Sequence, residues 1–228
     1  MGTFLAVITY IVYIVFWWRL ISHALVWCRM TDQLNIQPAP AAKITPSLIA
    51  ISAIDLLLFR RLFNTNKLVW VGSWTFHVSL LLVIIRHLRY FLDPVPGWVV
   101  CAQPFGIFSG YVFAASLFYV LVLRITVKSQ GYVSWQNMFL LAVLFLSSIS
   151  GVLLRAIFRT DVIQAKAFIL GILSLKPEAN LGGPLFIMHF VLFLLLLLFL
   201  PLHIFAAPFV FVEARRRDEG LAMVMHER

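Results

Sequence analysis

The chain has 228 residues, 62% of them hydrophobic and 12% charged, with a mean hydropathy of +0.98 and a formal net charge of +9. A soluble domain of this size interleaves charge every few residues, so these values exclude an ordinary soluble globule and make the bilayer the solvent. The 18 Lys and Arg are scattered over loop-like segments and the ends of apolar runs, and no basic face forms that would bind nucleic acid.

A transmembrane helix needs about 20 apolar residues to cross roughly 30 Å of hydrocarbon. Five segments qualify in chain order: Phe4 to Trp27, Leu68 to Leu92, Phe105 to Leu123, Trp135 to Phe158 and Pro184 to Val212. The first lacks a basic n-region and outruns a signal h-region, so a retained helix is expected there. After it, Gln37 to Pro46 carries three prolines and reads as an irregular connector. Thr45 to Phe63 is apolar but interrupted by Asp55, Arg60 and Arg61, which suits an interfacial amphipathic helix better than a span, with a plain loop as the alternative. The expected fold is all-α, an integral membrane bundle of five transmembrane helices forming one domain over residues 1–212, with a basic tail from 213 to 228.

Five spans put the termini on opposite sides, and loop charge chooses between them. Arg29, Lys43, Arg60, Arg61, Lys67, Arg124, Lys128, Arg215, Arg216, Arg217 and Arg228 fall on one side, against Arg159, Lys166 and Lys176 in the loop between spans four and five. The N-terminus is therefore expected outside and the tail in the cytoplasm. Cys28 and Cys101 then lie on opposite faces, too far apart for a disulfide. No CxxCH motif is present for a covalent c-type haem. The chain also carries no Walker loop, nucleophile pair or multi-cysteine cluster, so substrate chemistry would belong to a partner.

Polar side chains within hydrocarbon need partners and are usually functional. Five of the six histidines fall in spans: His23 in the first, His77 and His87 in the second, His189 and His203 in the fifth; His226 sits in the tail. His77 and His87 are about 15 Å apart along one helix, and His189 and His203 about 21 Å. Spans two and five run antiparallel, so His87 with His189 and His77 with His203 share depths. Rotations of about 80° and 40° let each helix turn both rings toward one interior. Two imidazoles from facing helices fill both axial positions of a b-type haem iron, which suits electron transfer and leaves no open site. Two haems are expected, or one; cross-helix hydrogen bonding among the histidines is the plainer alternative.

Small residues at Gly72, Ser73, Gly106, Gly110, Ser147, Ser148, Ser150 and Gly151 leave room for a flat macrocycle or simply pack helices. Arg86, Arg89 and Arg155, near the outer ends of spans two and four, are placed to meet haem propionates or a quinone head group, or to snorkel to lipid phosphate. Asp93, Tyr90 and Arg89 are candidates for exchanging quinone protons. The Arg215 to Arg217 run is a membrane anchor or a docking surface.

The stretch WTFHVSLLLVIIRHLRYFLDPVPGW, Trp74 to Trp98, resembles the second helix of the gamma subunit of respiratory nitrate reductase (NarI-like), in which two histidines ligate two b haems. SGVLLRAIFRTDVIQAKAFILGILSL, Ser150 to Leu175, with the following MHFVLFLLLLLFLP, is similar to DsrM-like cytochromes b of the complex linked to dissimilatory sulfite reductase. The resemblance covers roughly residues 70 to 212. It implies sulfur metabolism at the cell inner membrane, menaquinone as the quinone, and a cytoplasmic iron–sulfur partner of heterodisulfide-reductase type. A periplasmic cytochrome c and further membrane subunits are also implied. His77, His87 and His189 fall on family haem ligands. The family's fourth histidine lies further past the proline, where this chain has Ala206 and Ala207, and His203 comes a helical turn earlier. Arg86 stands where nitrate reductase gamma subunits have glycine. The alternatives to a quinone-reactive cytochrome b are a redox-inactive membrane anchor and a gamma-type subunit of another complex; a transporter would call for internal repeats or intramembrane carboxylates, which are not found in the assigned spans.

Overall fold

The computed structural model describes residues 1–33, 43, 45–126 and 135–226, without the side chains of 27–33, 202–214 and part of the tail. The described residues are helical throughout their regular structure, with no strand. The order is α1 (Gly2–Gln33), α2 (Pro46–Leu57), α3 (Arg60–Thr65), α4 (Lys67–Phe91), α5 (Gly97–Thr126), α6 (Trp135–Ala156), α7 (Val162–Leu173) and α8 (Pro184–His226). Five stretches are long and apolar enough to cross a membrane: Gly2–Val26, Lys67–Phe91, Gly97–Thr126, Trp135–Ala156 and Pro184–Pro201. This is a multi-pass membrane protein.

The contacts divide the chain into two compact units, residues 1–13 with 68–198, and residues 14–67 with 199–228. In the first unit, the apolar cluster formed by α4, α5 and α6 centres on Phe113, Leu117, Val120 and Leu141, with Phe76, Leu80 and Val83 of α4 against it. Gly72 lets α4 and α5 close: a Cβ there would lie 2.6 Å from Tyr119 and 2.7 Å from Val120. A second cluster joins α1, α7 and α8 through Leu5, Ala6, Val12, Ala165, Phe168, Ile172, Phe186, Phe190 and Leu194. Phe168 meets Phe186 and Phe190 edge to face, at 6.1 and 5.5 Å between ring centres. The outward surfaces are apolar, as with Phe105, Phe108 and Phe118 on α5, which fits a lipid solvent.

Three elements differ from the expectation. α5 begins at Gly97, eight residues before Phe105, and carries Pro104 inside it. Proline removes one backbone donor, but in membrane helices neighbouring polar groups make this tolerable; next to it Gln103 Nε2 donates to the carbonyls of Val99 (3.1 Å) and Arg86 (3.3 Å). The loop between spans four and five contains α7, twelve apolar residues, too short to cross. Asp161 caps it, accepting from the Ile163 and Gln164 amides. Tyr10 donates to the Ile172 carbonyl (3.0 Å), and Lys166 pairs with Asp93 (2.8 Å), holding α7 to α1 and to the turn after α4.

In the second unit, the segment expected as one amphipathic helix is two. Phe59 takes a left-handed conformation (φ 50°, ψ 41°) between α2 and α3, a conformation that costs roughly 1–2 kcal/mol for a residue with a side chain. Thr45 caps α2, accepting from Leu48 N at 3.2 Å, with Pro46 in the first turn. Asp55 of α2 receives Arg215 of α8 at 2.6 Å. Hydrogen bonding to Glu219, then to Asp55, raises the Arg215 pKa further above its ordinary value.

Phe168 is fully buried among three helices, so Phe168→Ala is expected to cost about 3–5 kcal/mol through the cavity it leaves. Thermal unfolding of the purified variant in detergent should show a clearly lowered midpoint, while an unchanged midpoint would mean α7 does not depend on this ring.

Candidate haem site

α4 ends four residues after His87, and α8 begins five residues before His189. Both histidines thus lie about one turn from the same end of antiparallel helices. The structure brings their rings together, with centroids 6.3 Å apart and planes 20° from parallel. A direct N–H···N bond of about 2.9 Å between two rings would bring the centroids to about 5 Å. Two imidazoles bonded in line to one metal at about 2.0 Å each, with about 1.1 Å from nitrogen to ring centre, stand about 6.2 Å apart. The observed spacing matches the second arrangement.

Each ring is held by its other nitrogen. His87 Nδ1 lies 2.7 Å from the Val83 carbonyl, one turn back on α4. Because a carbonyl only accepts, Nδ1 carries the proton and Nε2 keeps the lone pair a metal needs. His189 Nδ1 lies 2.8 Å from Ser150 Oγ, and that hydroxyl lies 2.9 Å from the Ser147 carbonyl. The hydroxyl has one proton; donated to the carbonyl, it leaves oxygen to accept from His189 Nδ1–H, and Nε2 of His189 again keeps its lone pair. Ser150 is 1% exposed, so water does not compete for this chain of bonds. Gly151 completes the wall: a Cβ at that position would lie 3.2 Å from His189 Cε1. A hydrogen-bonded outer partner that fixes tautomer and ring direction is the usual support of a metal-ligating imidazole.

Around this pair sits positive charge. Arg86 precedes His87 in the chain, and its stem packs on Gly106, where a Cβ would lie 2.5 Å from Arg86 Cβ. Its Nε is buried and has no hydrogen-bond partner among the described residues, a donor that an anionic group such as a propionate would satisfy. Arg155, Arg89, Tyr90 and Tyr111 lie within electrostatic reach of Arg86. The Arg89 guanidinium stands 5.6 Å from the Tyr90 ring centre and reaches Gln103 Oε1 at 3.5 Å. The residues present therefore fit a haem at this level: two imidazoles with lone pairs directed by their Nδ1 bonds, and cations beside them. Among the described residues no group of three or more His, Cys, Asp or Glu converges as a protein-only metal site would need.

The other predicted pair is only partly described. His77 Nδ1 lies 2.7 Å from the Ser73 carbonyl, the same arrangement as at His87, and its ring is 3.9 Å from that of Phe76. The side chain of His203 lies outside the described residues, as does that of His226; His23 is half-buried on α1. Sequence reasoning treated Ser150 as a space-maker and did not find its bond to His189, nor the Gln103 bridge between α4 and α5. Of the small residues, Gly151 faces an imidazole, Gly72 and Gly106 serve helix contact, and nothing lies within 4 Å of a Cβ at Gly110.

The chain is similar to cytochrome b-like subunits. It is 32% identical over 149 residues to the Hdr-like menaquinol oxidoreductase cytochrome b-like subunit of Archaeoglobus fulgidus, a match covering 58% of this chain and 45% of that protein. With the protein of the same name from Archaeoglobus profundus it shares 27% over 179 residues, 64% of this chain and 52% of that protein. The chain spans about half the length of the curated relatives it matches. No family model and no solved structure matches.

Ser150→Ala removes the acceptor of His189 Nδ1–H and should weaken ligation by that ring about 10- to 100-fold. Haem retained per chain through purification measures this; retention equal to the parent would mean Ser150 does not orient His189.

Proposed function

We propose that the protein is the membrane cytochrome b subunit of a respiratory complex, passing electrons between menaquinol and a cytoplasmic iron–sulfur partner of heterodisulfide-reductase type. The observation that carries this reading is the His87–His189 pair at metal-bridging distance, supported by similarity to proteins named for menaquinol oxidation. Haem b, when bound, supplies a one-electron iron couple.

The protein's own residues set the conditions. His87 and His189 would hold the haem iron through Nε2, each ring being fixed at Nδ1 by Val83 and Ser150. Arg86, beside His87 and within electrostatic reach of Arg89 and Arg155, supplies positive charge, which would favour the reduced state and pair with carboxylate. His77 and His203 make the second bis-histidine level in this reading, closer to the cytoplasmic face, with the N-terminus outside and the C-terminal helix in the cytoplasm. Menaquinol oxidation releases two electrons and two protons, and the protons leave on the outer side. Asp93, exposed and paired with Lys166 at the end of α4, gives them a route to water, with Tyr90 and Arg89 beside it. The complex belongs in sulfur metabolism at the inner membrane, with periplasmic and membrane subunits completing it.

A pyridine haemochrome assay on the purified protein tests the reading. Two b haems per chain are expected; one would remove the His77–His203 level, and none would leave a redox-inactive anchor. His87→Ala and His189→Ala are each expected to abolish the same haem, seen as loss of one component in a redox titration, and loss of different haems would overturn the pairing.

A further inference from the structure

The second unit carries a polar cavity that the electron-transfer reading does not use. Asp55, Arg60, Arg61, Asn64, Arg215 and Asp218 line a space of about 370 Å³. Arg215 donates to Asp55 Oδ2 at 2.6 Å and Arg61 to Asp218 at 2.6 Å. Arg60 stands 3.8 Å from Asp55 Oδ1, an ionic approach and not a hydrogen bond, and is largely exposed. Asp55 is 4% exposed, yet among the described residues its Oδ1 has no hydrogen-bond partner. A buried carboxylate oxygen left so is costly, and a ligand's donor would relieve it. Three guanidinium groups face two carboxylates across the cavity, so the lining favours an anion.

Its place in the chain selects the kind of anion. Arg60 and Arg61 lie in α3, which ends two residues before α4 begins to cross the membrane, and Arg215 follows the apolar run ending at Val212. That puts the cavity at head-group level. On the helix that supplies Asp55, Ile51 and Ile54 flank it and are exposed, an apolar surface suited to acyl chains. Free phosphate would use the guanidinium groups and leave both this surface and Asp55 Oδ1 unsatisfied.

We propose that this cavity binds an anionic phospholipid whose head group carries a hydroxyl, with its phosphate against Arg60 and Arg61 and the hydroxyl donating to Asp55 Oδ1. The acyl chains lie along the apolar surface of α2. Binding of this lipid ties α2 and α3 to the C-terminal part of α8.

Native mass spectrometry of the full chain, exchanged from detergent into nanodiscs of phosphatidylglycerol or phosphatidylcholine and then released, counts retained lipid. The parent is expected to keep phosphatidylglycerol several-fold over phosphatidylcholine, and Arg60→Gln and the Arg60→Gln/Arg61→Gln pair to lose that preference, while Arg124→Gln keeps it. Among the described residues the Arg60 side chain makes no hydrogen bond, so its variant should match the parent in helicity and melting. Equal retention of the two lipids, a preference surviving in both arginine variants, or inorganic phosphate displacing the retained lipid would each overturn the assignment.

Discussion

Everything at the candidate site depends on one constraint: an imidazole inside hydrocarbon must have both ring nitrogens engaged. His87 and His189 meet it on one side through the Val83 carbonyl and the Ser150 hydroxyl. Those bonds place the proton on Nδ1 and leave Nε2 as the basic atom. The two rings then stand 6.3 Å apart between centres, too far to satisfy each other directly, and the proposed iron between them would engage both Nε2 atoms. Cation placement follows the same logic, since the buried Nε of Arg86 has no hydrogen-bond partner among the described residues and could be answered by an anion.

The rest of the first unit serves this geometry. α4 and α5 approach at Gly72 and Gly106, and Gln103 bolts them together at the level of Arg86. α6 brings Ser150 and Gly151 against α8. α7, too short to cross, packs Phe168 into α1 and α8 and holds Asp93 through Lys166. In the second unit the same rule applies at a different place: Asp55 is buried on an apolar helix because Arg215 answers it, and its remaining oxygen is what the proposed lipid would satisfy.

Much of the fold was legible in the sequence because apolar length is a direct consequence of bilayer thickness: the five runs and the five crossing-length helices agree to within a few residues except at α5 and α8. The apolar run was expected from Phe105, whereas α5 starts at Gly97 and carries Pro104 inside it, which a membrane helix tolerates. α7 was missed because twelve apolar residues between Asp161 and Ser174 are too few to cross the bilayer and fall into a loop unless the Asp161 cap is weighed. At the site, the depth match of His87 and His189 was legible from helix rise and antiparallel direction alone. Ser150 was not, because its partner lies 39 residues away and only packing reveals it. The left-handed turn at Phe59 had no glycine to announce it.

Electron paramagnetic resonance of the oxidised, purified protein tests most directly whether His87 and His189 hold one iron from both sides. Two imidazole ligands give a low-spin ferric signal, and the component from the His87–His189 haem should weaken in Ser150→Ala and be converted or lost in His189→Ala. A high-spin ferric signal from the parent protein, the mark of an iron with an open axial position, would contradict the bis-histidine account, as would the absence of any haem signal.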